Sequence, residues 1–220
     1  MNPNKLRPVD RRRFLITATS LVAGINLLPQ TSWAEETNLP QTGLHIVGPM
    51  EGYTPQVGTL LSMMNWMRAT VLRSLQGLSP ADLDFLQDPK ANTIGAMLMH
   101  LAATEIFYQA NTFEGRSEPN EAEKKQWGAA MELGDAGRNT IKGNKLNYYL
   151  DALNEVREKT KKEFKQRDDA WLMTVDPKFF GGQPTNNYCK WFHVAEHESN
   201  HNGQIKWIKG RLPGAKRAKD

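Results

Sequence analysis

The chain has 220 residues, with 28 Lys and Arg against 24 Asp and Glu, and one cysteine. A single thiol excludes an intramolecular disulfide framework in any compartment. The basic excess lies in the first 34 residues, which hold Lys5, Arg7, Arg11, Arg12, Arg13 and only Asp10, so 23 side chains of each sign remain beyond them. That balance removes the electrostatic argument for nucleic acid or an anionic membrane as a partner, because the pI of about 9.1 belongs largely to the leader.

Arg11-Arg12-Arg13-Phe14-Leu15 stands directly before a modestly apolar stretch, Phe14 to Leu28, which Thr17, Thr19, Ser20, Gly24 and Asn26 keep from being strongly hydrophobic. Ser32-Trp33-Ala34 then forms a small-x-small cleavage signal. An apolar run of about 15 residues falls short of the roughly 20 that a bilayer core requires, so no stable membrane span is expected. The spacing x-R-R-x-F-L resembles a twin-arginine export signal; an ordinary secretory signal with three arginines is the other reading. The expected organisation is a signal peptide over residues 1–34, a linker over 35–52, one domain over 53–212 and a tail over 213–220, with the mature protein in the periplasm.

The linker is rich in Pro, Gly, Thr and Asn and contains His45, which has no histidine neighbour at helical spacing and reads as solvated. From Pro55 to Leu78, Leu60, Leu61, Met64, Met67, Val71, Leu75 and Leu78 return every three or four residues and predict an amphipathic helix with a core-facing Met stripe. Ser79-Pro80-Ala81-Asp82 is a helix start, and Asp88-Pro89 closes that helix early. A second long helix is expected from Asn92-Thr93 through Tyr108, with His100 in its middle. Residues 113–145 contain five glycines and no sustained periodicity, and read as a long connection with at most one short helix near Glu121 to Met131. Leu146, Tyr149, Leu150, Leu153, Val156, Thr160 and Phe164 mark a third long helix, whose outer face, charged by Glu155, Arg157, Glu158, Lys159, Lys161, Lys162 and Glu163, is expected to be solvated. A turn-rich stretch follows Trp171, and a fourth helix runs from about Thr185 to Lys209, stopping at Gly210. The pattern predicts an all-α four-helix bundle with a long connection between its second and third helices.

His193, His197 and His201 are spaced i, i+4, i+8, so they share one helix face, and neighbouring imidazoles there can converge on one ion. A third ligand from another helix is available in His100. Taken alone, His100 reads as a hydrogen-bonded core residue. Three neutral imidazoles buried together leave several donors and acceptors to satisfy, which favours a metal. Residues 197–201 also read H-E-S-N-H, the zincin pattern. The metzincin extension fails at Gln204 and Trp207, and the residues after His201 contain no Glu or His to complete a gluzincin site.

Two stretches, N-T-I-G-A-M-L-M-H-L-A-A-T-E at Asn92–Glu105 and H-V-A-E-H-E-S-N-H-N-G-Q-I at His193–Ile205, resemble the DinB superfamily of metal-binding four-helix bundles. The resemblance extends in looser form over about Tyr53 to Leu212. It implies an up-down-down-up bundle with a divalent ion held by His100, His197 and His201. Asn202 departs from the Arg that many relatives carry there, which weakens any inference about a bound anionic group.

Weaker candidates share the site face. Gln204 is close enough to orient a ligand from outside the coordination sphere. His193 is a candidate acid/base group, with neutral packing as its alternative, and Cys189 one turn earlier reads as a buried, inert thiol. Glu198 and Glu105 lie about 100° and 140° around their helices from the nearest ligand, which suggests structural pairing.

Three protein ligands leave an open coordination position, where Zn, Ni, Fe or Cu could activate water or a thiol. The superfamily includes thiol-dependent transferases and isomerases. The resemblance therefore implies a metal-dependent enzyme of transferase, isomerase or hydrolase type on a small molecule, with a thiol or a second copy of the chain as candidate partners. The alternative is a non-catalytic periplasmic metal-binding or stress-response module. A pocket roofed by residues 113–145 would favour the enzyme. Replacing Arg11 and Arg12 by Lys is expected to leave the precursor unprocessed in the cytoplasm; normal export of that double variant, followed by fractionation and immunoblotting, would leave only a generic secretory signal.

Overall fold

The computed structural model describes residues 43–215. The expected signal peptide, the first part of the linker and the end of the tail lie outside them. The elements in order are α1 (Pro55–Ser74), α2 (Pro80–Leu83), α3 (Ile94–Glu114), α4 (Glu121–Glu132), α5 (Gly134–Thr140), α6 (Leu146–Phe164), α7 (Asp169–Leu172), β1 (Val175–Asp176), a 3₁₀ turn (Phe180–Gly182), β2 (Thr185–Asn186) and α8 (Asn187–Lys209). The four long helices form the expected all-α bundle.

Their relative directions follow from which residues meet. Along α1 and α8, Arg68 meets Glu198 and Ser74 meets Asn202, so these two helices are parallel. Along α3 and α6, Gly95 lies against Tyr149 and Gln109 against Thr160, so these also are parallel. Between α3 and α8 the order reverses, with His100 at His197, Tyr108 at His193 and Thr112 at Trp191. The bundle is therefore up-down-down-up. Because α3 and α6 point the same way, the chain must return along the length of the bundle between them, which is why that connection is long.

The connection holds two helices where the sequence suggested at most one. Asn120 and Glu123 form a capping box at the start of α4, and α5 follows after Leu133 at φ 58°. Trp127 and Ala130 are buried against α3. Of the five glycines that obscured the periodicity, Gly115, Gly134 and Gly143 take positive φ between helices or at their ends, Gly128 faces open space, and Gly137 is buried in α5 beside Ala96. The first helix is shorter than expected: Gly77, at φ 77°, turns the chain after Ser74, although Leu75 and Leu78 still reach the core. The short helix α7, which contains Trp171, was not anticipated. Its Asp169 Oδ1 accepts from Gln56 N at 2.9 Å and Val57 N at 3.2 Å, so it caps α1, whose own Thr54 supplies no side-chain cap. The linker residue His45 is exposed, as expected, and its ring meets Trp66 edge-on at 4.7 Å.

The core consists of two apolar clusters separated by a charged layer. One cluster joins Val71, Leu75, Leu98, Leu101, Leu153 and Ile205; the other joins Leu60, Met64, Tyr108, Phe164 and Trp191. Between them each long helix contributes one buried charge: Arg68, Glu105, Arg157 and Glu198; Arg157 is thus not on the solvated face of α6 where the sequence put it, because it pairs with the two glutamates. Arg68 Nη2 donates to Glu105 Oε2 at 3.1 Å and Glu198 Oε1 at 2.7 Å. Arg157 Nε donates to Glu105 Oε1 at 2.9 Å and its Nη2 to Glu198 Oε1 at 2.7 Å. Thr160 Oγ1 donates to Glu105, and Arg68 Nη1 donates to Leu153 O at 2.7 Å, bridging α1 to α6. Burial alone would raise the Glu105 pKa, but the charges of Arg157 and Arg68 outweigh it and hold the carboxyl below its usual range.

Removing one member of such a layer leaves a buried charge uncompensated. Arg157→Met is therefore expected to lower unfolding free energy by about 3–5 kcal/mol. Urea titration followed by far-UV circular dichroism checks this; a loss no greater than that of an exposed Lys162→Met control would show that the layer contributes little.

Candidate metal centre and active site

The site lies where α3 and α8 run antiparallel. Thr93 starts α3 by accepting from Ala96 N, and Asn186 starts α8 by accepting from Cys189 N. From those starts, helical pitch brings His100 from one helix and His197 and His201 from the next to one point. His100 Nε2 and His197 Nε2 stand 2.9 Å apart, and one ligand atom from each of the three histidines falls within 4.8 Å of the others. Two nitrogens bound at right angles to one ion, at about 2.0–2.1 Å each, would stand about 3 Å apart.

The surroundings prepare these rings for a cation. His100 Nδ1 donates to Ala130 O at 2.8 Å, so its proton is held on Nδ1 and the Nε2 lone pair faces the other two rings. His201 Nδ1 is buried without a hydrogen-bond partner. Burial, followed by the charges of the neighbouring histidines, pushes the His197 pKa down to about 3, and burial and His100 push His201 down to about 4. Burial likewise lowers His100, against the opposing bond to Ala130. Three neutral imidazoles, one with an orphaned nitrogen, fit a divalent ion well and fit each other poorly.

The weaker candidates separate clearly. His193 is one turn before His197, with ring centroids 5.1 Å apart, and shares a 2.8 Å hydrogen bond between Nδ1 and Tyr108 Oη. Burial, followed by the charge of Cys189, raises the Tyr108 pKa and keeps the phenol protonated. Tyr108 carried only a core-packing signal in the sequence, one of several large apolar positions along its helix. Phe180, brought in by the β1–β2 hairpin, packs edge-on against His193 at 5.3 Å. Lys190 fixes that hairpin by donating to Asp176 Oδ2 at 3.0 Å and Asn111 Oδ1 at 2.8 Å. Gln204 is exposed; its Nε2 donates to Asn200 Oδ1 at 3.0 Å, while its nearness to His201 opposes the lowering of that pKa.

Cys189 is exposed, contrary to the buried thiol expected. It sits in the first turn of α8, ahead of the stretch that packs into the bundle. Glu105 and Glu198 pair with arginines, the structural role that their angular positions suggested. Asn202 also points away from the site: it accepts from Ser74 Oγ at 2.7 Å and donates to Thr70 Oγ1 at 3.1 Å on α1. Residues 113–145 flank the site from behind His100, and none of them lines the neighbouring cavity between α3 and α8.

The up-down-down-up bundle with a three-histidine cluster between its second and fourth long helices defines a DinB-like protein. The family model for mycothiol S-transferase matches residues 59–214, and the chain belongs to that family. Among solved structures, the crystal structure of a conserved protein from Enterococcus faecalis aligns with a TM-score of 0.52 and 14% identity, covering 69% of this chain and 93% of that one. At that identity the likeness concerns the fold. No curated protein matches the sequence.

The lowered histidine pKa values set a pH dependence. The folded protein keeps His197 and His201 neutral down to about 3 and 4, whereas an unfolded histidine takes up a proton near 6.5. Stability contributed by the neutral rings is lost as pH falls below about 6.5. Thermal melts of metal-free protein are expected to shift downward between about pH 7 and pH 4.5, and His197→Gln to flatten that slope. An unchanged slope in the variant would place the acid lability in the carboxylates.

Proposed function

We propose that this protein is a metal-dependent thiol S-transferase that joins a small thiol to a small acceptor molecule, and that it works after export. The observation that carries this reading is the three-histidine cluster: three converging neutral nitrogens on a rigid pair of helices, with no fourth protein ligand among the described residues. A closed structural site normally has four protein ligands, so three leave room for an exogenous one. A divalent zinc, nickel or iron ion held by His100, His197 and His201 would draw a thiol toward its ionised, nucleophilic form near neutral pH. The family's name points to mycothiol as the first thiol to test.

The chain's own residues supply positioning and proton handling. Ala130 O keeps His100 in the tautomer that presents Nε2. Tyr108 fixes the ring of His193 through Nδ1. In the tautomer with the proton on Nδ1, the His193 Nε2 lone pair is free to accept a proton released by a thiol. The ring is about one-third exposed and can pass that proton to water. Burial keeps the Tyr108 hydroxyl from competing, because its ionised form is disfavoured there. Phe180 covers the other side of His193 and restricts its rotation.

Metal analysis of tag-free protein is expected to show one divalent ion per chain. His100→Ala, His197→Ala and His201→Ala should each lose it, and His45→Ala should retain it. Loss of the ion should also lower Tm, since an ion bound only by the folded state stabilises that state. His193→Ala should keep the metal while thiol consumption with mycothiol and an electrophilic acceptor falls about 10²-fold. Full metal in His100→Ala together with its loss in His193→Ala would replace the two-helix site by a single-helix one. Stoichiometric metal with no thiol consumption for any acceptor would favour a binding module.

A further inference from the structure

Beside the histidines, between α3 and α8, lies a cavity of about 470 Å³. Its position follows from the helix geometry. Met97 is one turn before His100 on α3, and Gln204 is one turn after His201 on the antiparallel α8, so both lead from the histidines toward the same end of the bundle. His193 and Tyr108 stand at the opposite end of the stripe. The cavity is within the range of small-molecule sites.

Its lining has a definite chemistry. No residue bordering it is charged. Trp207, about half exposed, forms one wall, with Arg211 Cζ 3.9 Å from its ring centroid. Met97 supplies an adaptable apolar floor. Of the three carboxamides in the lining, Asn92 and Asn200 have their oxygens engaged: Asn92 Oδ1 accepts from Gly134 N at 3.1 Å, and Asn200 Oδ1 accepts from Gln204 Nε2 at 3.0 Å. Their amide hydrogens are thereby left to donate. A half-exposed indole with neutral donors beside it matches a flat, uncharged molecule that carries a carbonyl oxygen. A carboxylate there would have to lose hydration with no cation among the lining residues; Arg211, beside the wall, is held by stacking on the Trp207 ring and by donating to Trp207 O at 3.1 Å.

We infer that this cavity is the acceptor subsite, and that it selects neutral, ring-bearing α,β-unsaturated carbonyl compounds over their carboxylate counterparts: the thiol S–H bond breaks, its sulfur bonds the β-carbon, the alkene becomes a single bond and the α-carbon takes up a proton from water. The acceptor role rests on the transferase reading; the binding preference does not. A ligand whose ring lies against Trp207 and whose carbonyl oxygen meets Asn92 or Asn200 would stand about one helical turn from the histidines, next to a thiol held there.

Gly203 provides the means of testing it. A Cβ there would meet no other atom within 4 Å, so Gly203→Leu fills the cavity without disturbing the helix, and replacing a mid-helix glycine should not cost stability. Binding of benzylacetone and of hydrocinnamate, its unreactive anionic counterpart, would be measured on the full chain by ligand-observed NMR. Benzylacetone should bind at least about tenfold tighter than hydrocinnamate. Gly203→Leu and Trp207→Ala should each weaken it about tenfold at unchanged metal content and far-UV spectrum, and Trp207→Phe should restore most of the affinity.

Equal binding of the ketone and the acid, or binding unmoved by Gly203→Leu, overturns the assignment. Thiol consumption with benzylideneacetone separates this inference from the transferase reading. Binding that depends on Gly203 and Trp207 without consumption supports the cavity and removes the transferase. Consumption whose KM ignores Gly203→Leu removes the cavity alone.

Discussion

Arg68, Glu105, Arg157 and Glu198 meet midway along the bundle, one from each long helix, and the remainder of the architecture is arranged around them. Apolar packing is tolerant of small slides between helices, because one leucine can replace another at similar cost. A layer in which two guanidinium groups share two carboxylates is not tolerant: a shift of one turn leaves charges buried and unpaired. The layer divides the core into two apolar clusters and sets the axial register of all four helices at once. Its net charge is zero, and Thr160 and the Leu153 carbonyl take up further hydrogen-bonding capacity at its edges.

That register decides whether the histidines meet. Glu105 lies five residues beyond His100, and Glu198 lies between His197 and His201. Both glutamates bind the same pair of arginines, so α3 and α8 are fixed at the height that brings the imidazole nitrogens within bonding distance of a common ion. The same helices turn their charged residues inward and their histidines to the α3–α8 seam. The buried ion pairs and the clustered imidazoles are thus neighbours in sequence but occupy different faces.

The seam has a direction. Along α8, Cys189, His193, His197, His201 and Gln204 follow one another at close to one turn each. At the His193 end, Tyr108 bonds the ring and Phe180 packs edge-on against it, while about one-third of the side chain remains exposed. The Gln204 end opens into an uncharged cavity walled by Trp207. On the proposed reading, a thiol and an acceptor would occupy different ends and meet at the same histidines. Asn202, which stands where many DinB relatives carry Arg, does not enter this arrangement, because it binds Ser74 and Thr70 on the far side of its helix.

Local spacing alone determined a good deal. The four long helices, the caps at Ser79 and Thr93, the shared face of His193, His197 and His201, and the exclusion of Glu105 and Glu198 as ligands all follow from periodicities of 3.6 residues, which depend only on neighbours in the chain. The histidine motifs also carried the resemblance to DinB proteins. Other features depended on contacts across 37 to 130 residues and had no local signature. Arg157 looks like a solvated residue until the fold buries it, with Arg68, against the glutamates. Tyr108 looks like core packing until α8 places His193 at its hydroxyl. Asp169 looks like a turn residue until it caps a helix that begins more than 110 residues earlier. Helical propensity and hydrophobic pattern are summed over adjacent residues, whereas charge pairing, ligand convergence and cavity shape arise only where distant segments come together, and these the tertiary structure alone decided.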